Sequence, residues 1–356
     1  MKLTLLLFLS ISLVTISCQQ EYYSLEDYPD VSKIDAHFHI YNGESSAVEL
    51  AAKDNFRLLV INTFSAECDR VYSANEVLNK EKRLHLDNFE YTTTFCLDNW
   101  DDENWTNKTI SWIDSCLEEG AVSVKVWKNI GMEFRDKNGK IVMIDHPKFD
   151  SIFSHLTELK IPLVAHLGEP RDCWLPIDEM VTSNNRGYFT SHPEYHMYLH
   201  PELPSYEEQM MARERMMRKN PELTFIGCHL ASLEWSVDEI ARFLDDFPNA
   251  AVDMSARMGN LFYQTLQDRE RVRNFFISYQ DRILYGTDMA ERESTSPEDL
   301  YARMQRDWSR DWEYLVSDNP MTSRFIEGEF NGLKLPRQVI DKIYRHNTIK
   351  WYGGFD

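Results

Sequence analysis

Residues 33–40 read "KIDAHFHI". Ile34, Ala36, Phe38 and Ile40 alternate with Asp35, His37 and His39, the period-two pattern of a buried strand whose successive side chains point to opposite faces. On strict alternation Asp35, His37 and His39 share one face and the four apolar residues share the other. Three polar groups on one side of a buried strand are costly unless something satisfies them. A metal ion would satisfy two at once, because neutral imidazole is the commonest metal ligand. The plainer alternative is a polar strand end hydrogen-bonded to neighbouring loops, and an isolated H-x-H motif does not decide between the two.

Seven further apolar runs follow: 57–62 "RLLVIN", 90–97 "EYTTTFCL", 121–127 "AVSVKVW", 161–166 "IPLVAH", 223–229 "LTFIGCH", 250–255 "AAVDMS" and 282–288 "RILYGTD". Amphipathic stretches at 46–55, 71–84, 107–119, 148–159, 206–219, 234–247 and 266–278 separate most of them. Strands alternating with helices predict a parallel sheet of β-α-β units. This repeat, over a chain of 356 residues, fits a closed α/β barrel of the (β/α)8 or TIM type. The rival, a doubly wound open sheet, would bring a glycine-rich first turn, and "HIYNGESS" at 39–46 has no G-x-G-x-x-G. Residues 168–203, rich in aromatic residues, Pro and His, form a long insertion after the fifth strand, where loops of a barrel cover its active site. A helical tail is expected from 295 to the end.

The ionisable residues fall at strand ends. His37 and His39 close the first strand, His166 the fifth, His229 the sixth and Asp288 the eighth. In a parallel barrel all C-terminal strand ends face one mouth, so these five side chains converge there. Such a set of imidazoles and one carboxylate suits Zn²⁺, Mn²⁺ or Fe²⁺.

This ordered series resembles the metal-dependent hydrolases of the amidohydrolase superfamily, in the branch that contains aminocarboxymuconate-semialdehyde decarboxylase, aromatic-acid decarboxylases and sugar or pyrone lactonases. The likeness rests on "IDAHFHI", "VSVKVW", "PLVAHLGEP", "TFIGCHLA", "AAVDMSAR", "ILYGTD" and the closing "LPRQVIDKIYRHNTIKWYG". It implies that His37, His39, His166 and Asp288 hold a divalent ion, zinc first and manganese or iron as alternatives, and that His229 ligates a second ion or contacts substrate. Lys125 stands on the fourth strand, where some members of the family carry a carboxylated lysine between two metals. It is also readable as a buried lysine paired with a carboxylate, and one ion is the favoured count. A bound ion would activate water, with Asp288 as general base and then acid and His229 as a donor to the oxyanion. Arg257 and Arg171 are candidate clamps for a substrate carboxylate. Glu169 is a candidate substrate contact, and Trp174 and Tyr188 are candidate pocket walls or packing residues.

The leading expectation is therefore a hydrolase opening an amide, ester or lactone of a small polar substrate. Non-oxidative decarboxylation on the same scaffold is the alternative, and a non-catalytic ligand-binding lipoprotein is the reading from outside catalysis. The net charge of -20 excludes the basic surface that nucleic-acid binding needs. Residues 1–17, "MKLTLLLFLSISLVTIS", have the layout of a secretory signal. They resemble a bacterial lipoprotein leader, which implies lipidation of Cys18, a tether over 18–32 and the barrel over 33–356, in an exported protein touching the membrane only through its lipid. The five cysteines beyond Cys18 give no disulfide framework, and Cys96 and Cys228 read as small buried hydrophobes inside apolar runs. Oligomeric state is open.

Overall fold

The computed structural model of the protein describes residues 21–63 and 67–355. The leader 1–17 and Cys18 lie outside them. Strands β1 (Lys33–Ile40), β2 (Phe56–Ile61), β3 (Phe89–Thr94), β4 (Ser123–Val126), β5 (Leu163–Ala165), β6 (Phe225–Gly227) and β7 (Ala250–Asp253) each pair in parallel with the next. The last position comes in two pieces, β8 (Ile283–Leu284) against β7 and β9 (Met289–Glu291) against β1. Between the pieces, Ala36 N–H donates to Tyr285 O at 2.9 Å and Asp288 N–H donates to His37 O at 2.8 Å, so the ladder closes into a barrel. Gly286 sits at this seam, and a Cβ there would lie 2.8 Å from His37 Cβ, so only glycine lets the last strand approach the first so closely.

Two apolar cores follow from strands buried on both faces. Ile34, Ala36, Leu59, Ile61, Val164, Ile226, Ala251 and Leu284 fill the barrel, while Phe38, Leu58, Val60, Tyr91, Phe225 and Val252 face the surrounding helices. Strict alternation along β1 is thus wrong. Asp35 pairs with Leu58 but Phe38 with Val60, which leaves Ala36 and His37 together opposite one residue. This bulge reverses the phase of the strand. Asp35 points outward instead of joining the histidines, and its Oδ2 accepts from Trp308 Nε1 at 3.1 Å and Thr287 Oγ1 at 2.6 Å.

Cys96 is not a lone hydrophobe, because it forms a disulfide with Cys68. The run "TTTFCL" leaves β3 after Thr94, so Cys96 belongs to the loop facing the start of the helix Cys68–Leu84. Cys228 is buried and free, as are Cys116 and Cys173. The insertion consists of short 3-10 turns and one helix, Ser183–Ser191, gathered over a small core of Met132, Cys173, Met180, Phe189 and Met197. The tail opens with the helix Pro297–Val316, whose first turn is capped by Ser296 Oγ accepting from Asp299 N–H at 3.1 Å. An antiparallel hairpin, β10 (Pro320–Ser323) with β11 (Ile326–Asn331), interrupts the helical pattern before the final helices. Residues 21–32 run along the barrel, with Tyr23 buried and its hydroxyl donating to Asp341 at 2.6 Å.

Candidate metal centre

The bulge that turns Asp35 out turns His37 and His39 toward the C-terminal mouth, where the seam brings Asp288. One ligand atom from each of His37, His39 and Asp288 lies within 4.8 Å of the others. Backbone strain marks the same place: Asp288 has φ 65° and His229 has φ 58°. His229 begins four successive left-handed residues ending at Ser232, a conformation that costs about 1–2 kcal/mol per non-glycine residue and persists only where packing imposes it.

The hydrogen bonds settle where the ring protons are. His39 Nδ1 faces Ile61 O at 2.8 Å, so it carries the proton and Nε2 presents a lone pair to Asp288 Oδ1 at 2.9 Å. His37 Nδ1 donates to Asp253 Oδ2 at 2.8 Å, and its Nε2 stands 3.3 Å from the same Asp288 oxygen. Two imidazole lone pairs and a carboxylate oxygen therefore converge with no hydrogen between them, which is an arrangement for a cation. His229 Nδ1 donates to Ser255 O at 2.9 Å, so its Nε2 accepts from His166 Nδ1 at 3.2 Å. That leaves His166 Nε2 as a buried lone pair with no partner. The donor set and this orphaned nitrogen fit a divalent ion.

Burial favours the neutral, ligating form of the rings. It pushes His37 down, against the opposing pull of Asp253, and pushes His166 and His229 well below the ordinary histidine value. Burial alone would raise Asp288, but positive charge on the facing His229, His39 or His37 outweighs it and holds the carboxyl well below the usual carboxylate range, a part that a metal cation would take with the rings neutral. Its side chain remains 33% exposed, open to the mouth.

Lys125 faces inward, fully buried, and its Nζ donates to Cys228 Sγ at 2.7 Å. The interaction is with a thiol below the histidines, not with a carboxylate. Arg257 is buried, its Nη1 donating to Ala256 O at 3.1 Å and its Nε without a partner. Among the described residues it has no ion pair. Arg171 is differently engaged, with its guanidinium 4.5 Å from the Trp235 ring and its N–H donating to Glu234 Oε1 at 2.8 Å. Glu169 forms an ion pair with Lys128. Trp174 donates to Pro204 O at 3.2 Å and meets Tyr206 edge-on at 5.6 Å, which packs the insertion onto the helix Tyr206–Lys219. Tyr188 is partly exposed and stacks on His192 at 4.6 Å.

Sequence reasoning missed Asp253 and Ser255. Asp253 is fully buried; Oδ2 takes His37 Nδ1, while Oδ1 takes His229 N–H at 2.8 Å, Ser255 N–H at 3.1 Å and the Ser255 hydroxyl. It sets the tautomer of one histidine and the backbone of another. The signal was present in "AAVDMS", a carboxylate inside an apolar run, but its histidine partners stand 24 and 216 positions away.

The sequence profile of the amidohydrolase family matches residues 34–354, and the chain belongs to that family. It is a metal-dependent enzyme on a TIM-barrel scaffold with a divalent-ion site. A search among curated proteins finds no match. Solved structures similar to it include 2,6-dihydroxybenzoate decarboxylase from Rhizobium, at 16% identity and TM-score 0.55 over 90% of this chain and 98% of that one. Dihydroxybenzoic acid decarboxylase from Polaromonas sp. JS666, solved with manganese and the inhibitor 2-nitroresorcinol, aligns at 13% identity and TM-score 0.52 over 90% and 96%. The 5-carboxyvanillate decarboxylase of Novosphingobium aromaticivorans aligns at 13% identity and TM-score 0.51 over 92% and 98%. Likeness at this level of identity shows a common fold.

Proposed function

We propose that the protein removes CO2 from a small carboxylic acid without oxidation, using one divalent ion, in preference to the hydrolysis that the sequence alone puts first. The observation that carries the metal chemistry is the His37–His39–Asp288 donor set, with the His166 Nε2 lone pair beside it. The decarboxylases among its structural neighbours support lyase over hydrolase chemistry. Lys125, bonded to Cys228, supports a single ion. Manganese in one neighbour and the imidazole-rich donor set support manganese or zinc.

A divalent ion held by His37, His39, His166 and Asp288 would polarise a substrate oxygen next to the bond that breaks. The buried Arg257 guanidinium, in no ion pair among the described residues, orients a substrate carboxylate bidentately. Asp288, ionised at rest and open to the mouth, takes a proton from solvent and passes it to the substrate carbon. The carbon–carbon bond then breaks, its electron pair replaces the pair that the proton took from the substrate, the new C–H bond remains, and CO2 leaves. Asp253 and Ser255 hold His37 and His229 in place throughout. Thr182, Asn184 and Asn185 of the insertion 168–203 line the approach to Asp288.

The test is a panel of hydroxybenzoic acids, lactones and esters incubated with metal-loaded protein in D2O. Decarboxylation gives CO2 and deuterium at the carbon that lost it; hydrolysis gives new acid groups with no CO2. Asp288→Asn is expected to lose about 10²–10⁴-fold in kcat. A protein holding a stoichiometric metal yet inert toward every class would refute the catalytic reading and favour a binding protein. Export with lipidation at Cys18 is part of the same proposal, supported by the Cys68–Cys96 disulfide, which forms and persists in oxidising compartments. Mass analysis of the mature N-terminus tests it.

A further inference from the structure

A cavity of about 330 Å³ reaches Asp288 and Thr287. Its walls bring together the end of β8, the helix Met258–Gln267, the helix Pro297–Val316 and the turn of the β10–β11 hairpin. Three guanidiniums and the carboxylates of Asp288, Asp307 and Asp311 line it, and the guanidiniums are not equivalent. Arg310 is neutralised in place, bonded to Asp307 Oδ1 at 2.8 Å and to Asp311 Oδ1 at 2.7 Å. Arg303 and Arg324 have no carboxylate partner among the described residues; Arg324 only lies over the Phe325 ring at 4.9 Å. Asn260 stands in the same wall, 4% exposed, and its Nδ2 donor has no hydrogen-bond partner.

We infer that this cavity is a second substrate-binding subsite, taking a carboxylate on the part of the substrate that does not react, with Arg303 and Arg324 as the clamp and Asn260 as a further donor. The inference rests on the reading of Asp288 as part of the reaction centre. Arg303 and Arg324 face one cavity without ion pairs among the described residues, in a chain of net charge -20 whose general field repels anions, so holding an anion there takes such a local pair of cations. An anion arriving there neutralises them, and planar guanidinium matches carboxylate in two parallel hydrogen bonds. Buried donors without partners are rare, and a ligand carboxylate relieves the one at Asn260. The space exceeds what a carboxylate alone needs, so the subsite also accommodates the atoms that link it to the reacting end. The preferred substrate is then a dicarboxylic acid that loses one carboxyl group and is held by the other.

Calorimetric titration of metal-loaded protein with benzoate and with isophthalate, the 1,3-dicarboxylate, tests this. Wild type is expected to bind isophthalate at least about tenfold more tightly than benzoate, an advantage that salt weakens because both arginines are partly solvated. Arg303→Gln/Arg324→Gln is expected to lose that advantage and keep its benzoate affinity, metal content and melting temperature. Equal affinity for the two acids in wild type, no binding of either, or an advantage that survives in the double variant overturns the subsite. Metal content, measured on the same samples, reports separately on the proposed reaction. One equivalent of metal with no arginine-dependent binding refutes the subsite alone. Arginine-dependent binding in protein that takes up no metal refutes the reaction and leaves the subsite standing.

Discussion

Asp253→Asn changes one atom at the most connected carboxylate of the centre and has a defined consequence. Oδ1 of Asp253 accepts two backbone N–H groups, at 2.8 Å from His229 and 3.1 Å from Ser255, so the asparagine must keep its carbonyl oxygen there. Its NH2 then occupies the place of Oδ2, 2.8 Å from His37 Nδ1. Two donors cannot face each other, so the His37 proton moves to Nε2, the atom that points at Asp288. The imidazole keeps its position but loses the lone pair the metal needs. Outer partners of metal-bound histidines are worth about 10–100-fold in metal affinity, or about 1.4–2.8 kcal/mol. Competition with a chromophoric chelator measures the metal affinity, and thermal unfolding of the metal-free protein confirms that the variant folds. Metal affinity within about twofold of wild type, in a folded variant, would refute the assignment of Asp253 as the group that fixes the His37 tautomer.

Glu234 is fully buried, with Oε2 unpartnered, and burial raises its carboxyl to about 7. A raised acid binds more protons folded than unfolded, so its contribution to stability falls as pH climbs from about 4.3, the unfolded value, through 7. Glu234→Gln keeps an acceptor for Arg171 N–H, and its melting temperature relative to wild type should improve between pH 5 and pH 8; a difference independent of pH would sink this. Removing the Cys68–Cys96 disulfide, 28 residues apart in sequence, by paired serine substitutions should lower stability by up to about 3–4 kcal/mol on loop entropy. Unchanged denaturant midpoints for that variant and wild type would show the crosslink to be dispensable. Gly286→Ala places a Cβ 2.8 Å from His37 Cβ, so it should weaken metal binding as well as lower the melting temperature. Loss of stability with full metal affinity would place the strain elsewhere.

The sequence by itself determined the eight-fold alternation of strand and helix, and with it the barrel. Periodicity and apolar runs are local signals, and a parallel sheet buried on both faces writes them plainly. It also determined that His37, His39, His166, His229 and Asp288 stand at strand ends, because the mouth of a barrel collects whatever its strands end on. Tertiary structure decided which of these meet. Only in the fold do His37, His39 and Asp288 share one small volume while His166 and His229 pair beside it. The bulge in β1 inverted the face of Asp35, because register depends on the neighbouring strand and not on the strand's own pattern. The partner of Cys96, the thiol contact of Lys125 and the bonds of Asp253 to His37 and His229 were equally out of reach: each joins residues 24 to 216 positions apart. Residue type and local period state what a side chain can do, and long-range packing chooses the partner with which it does it.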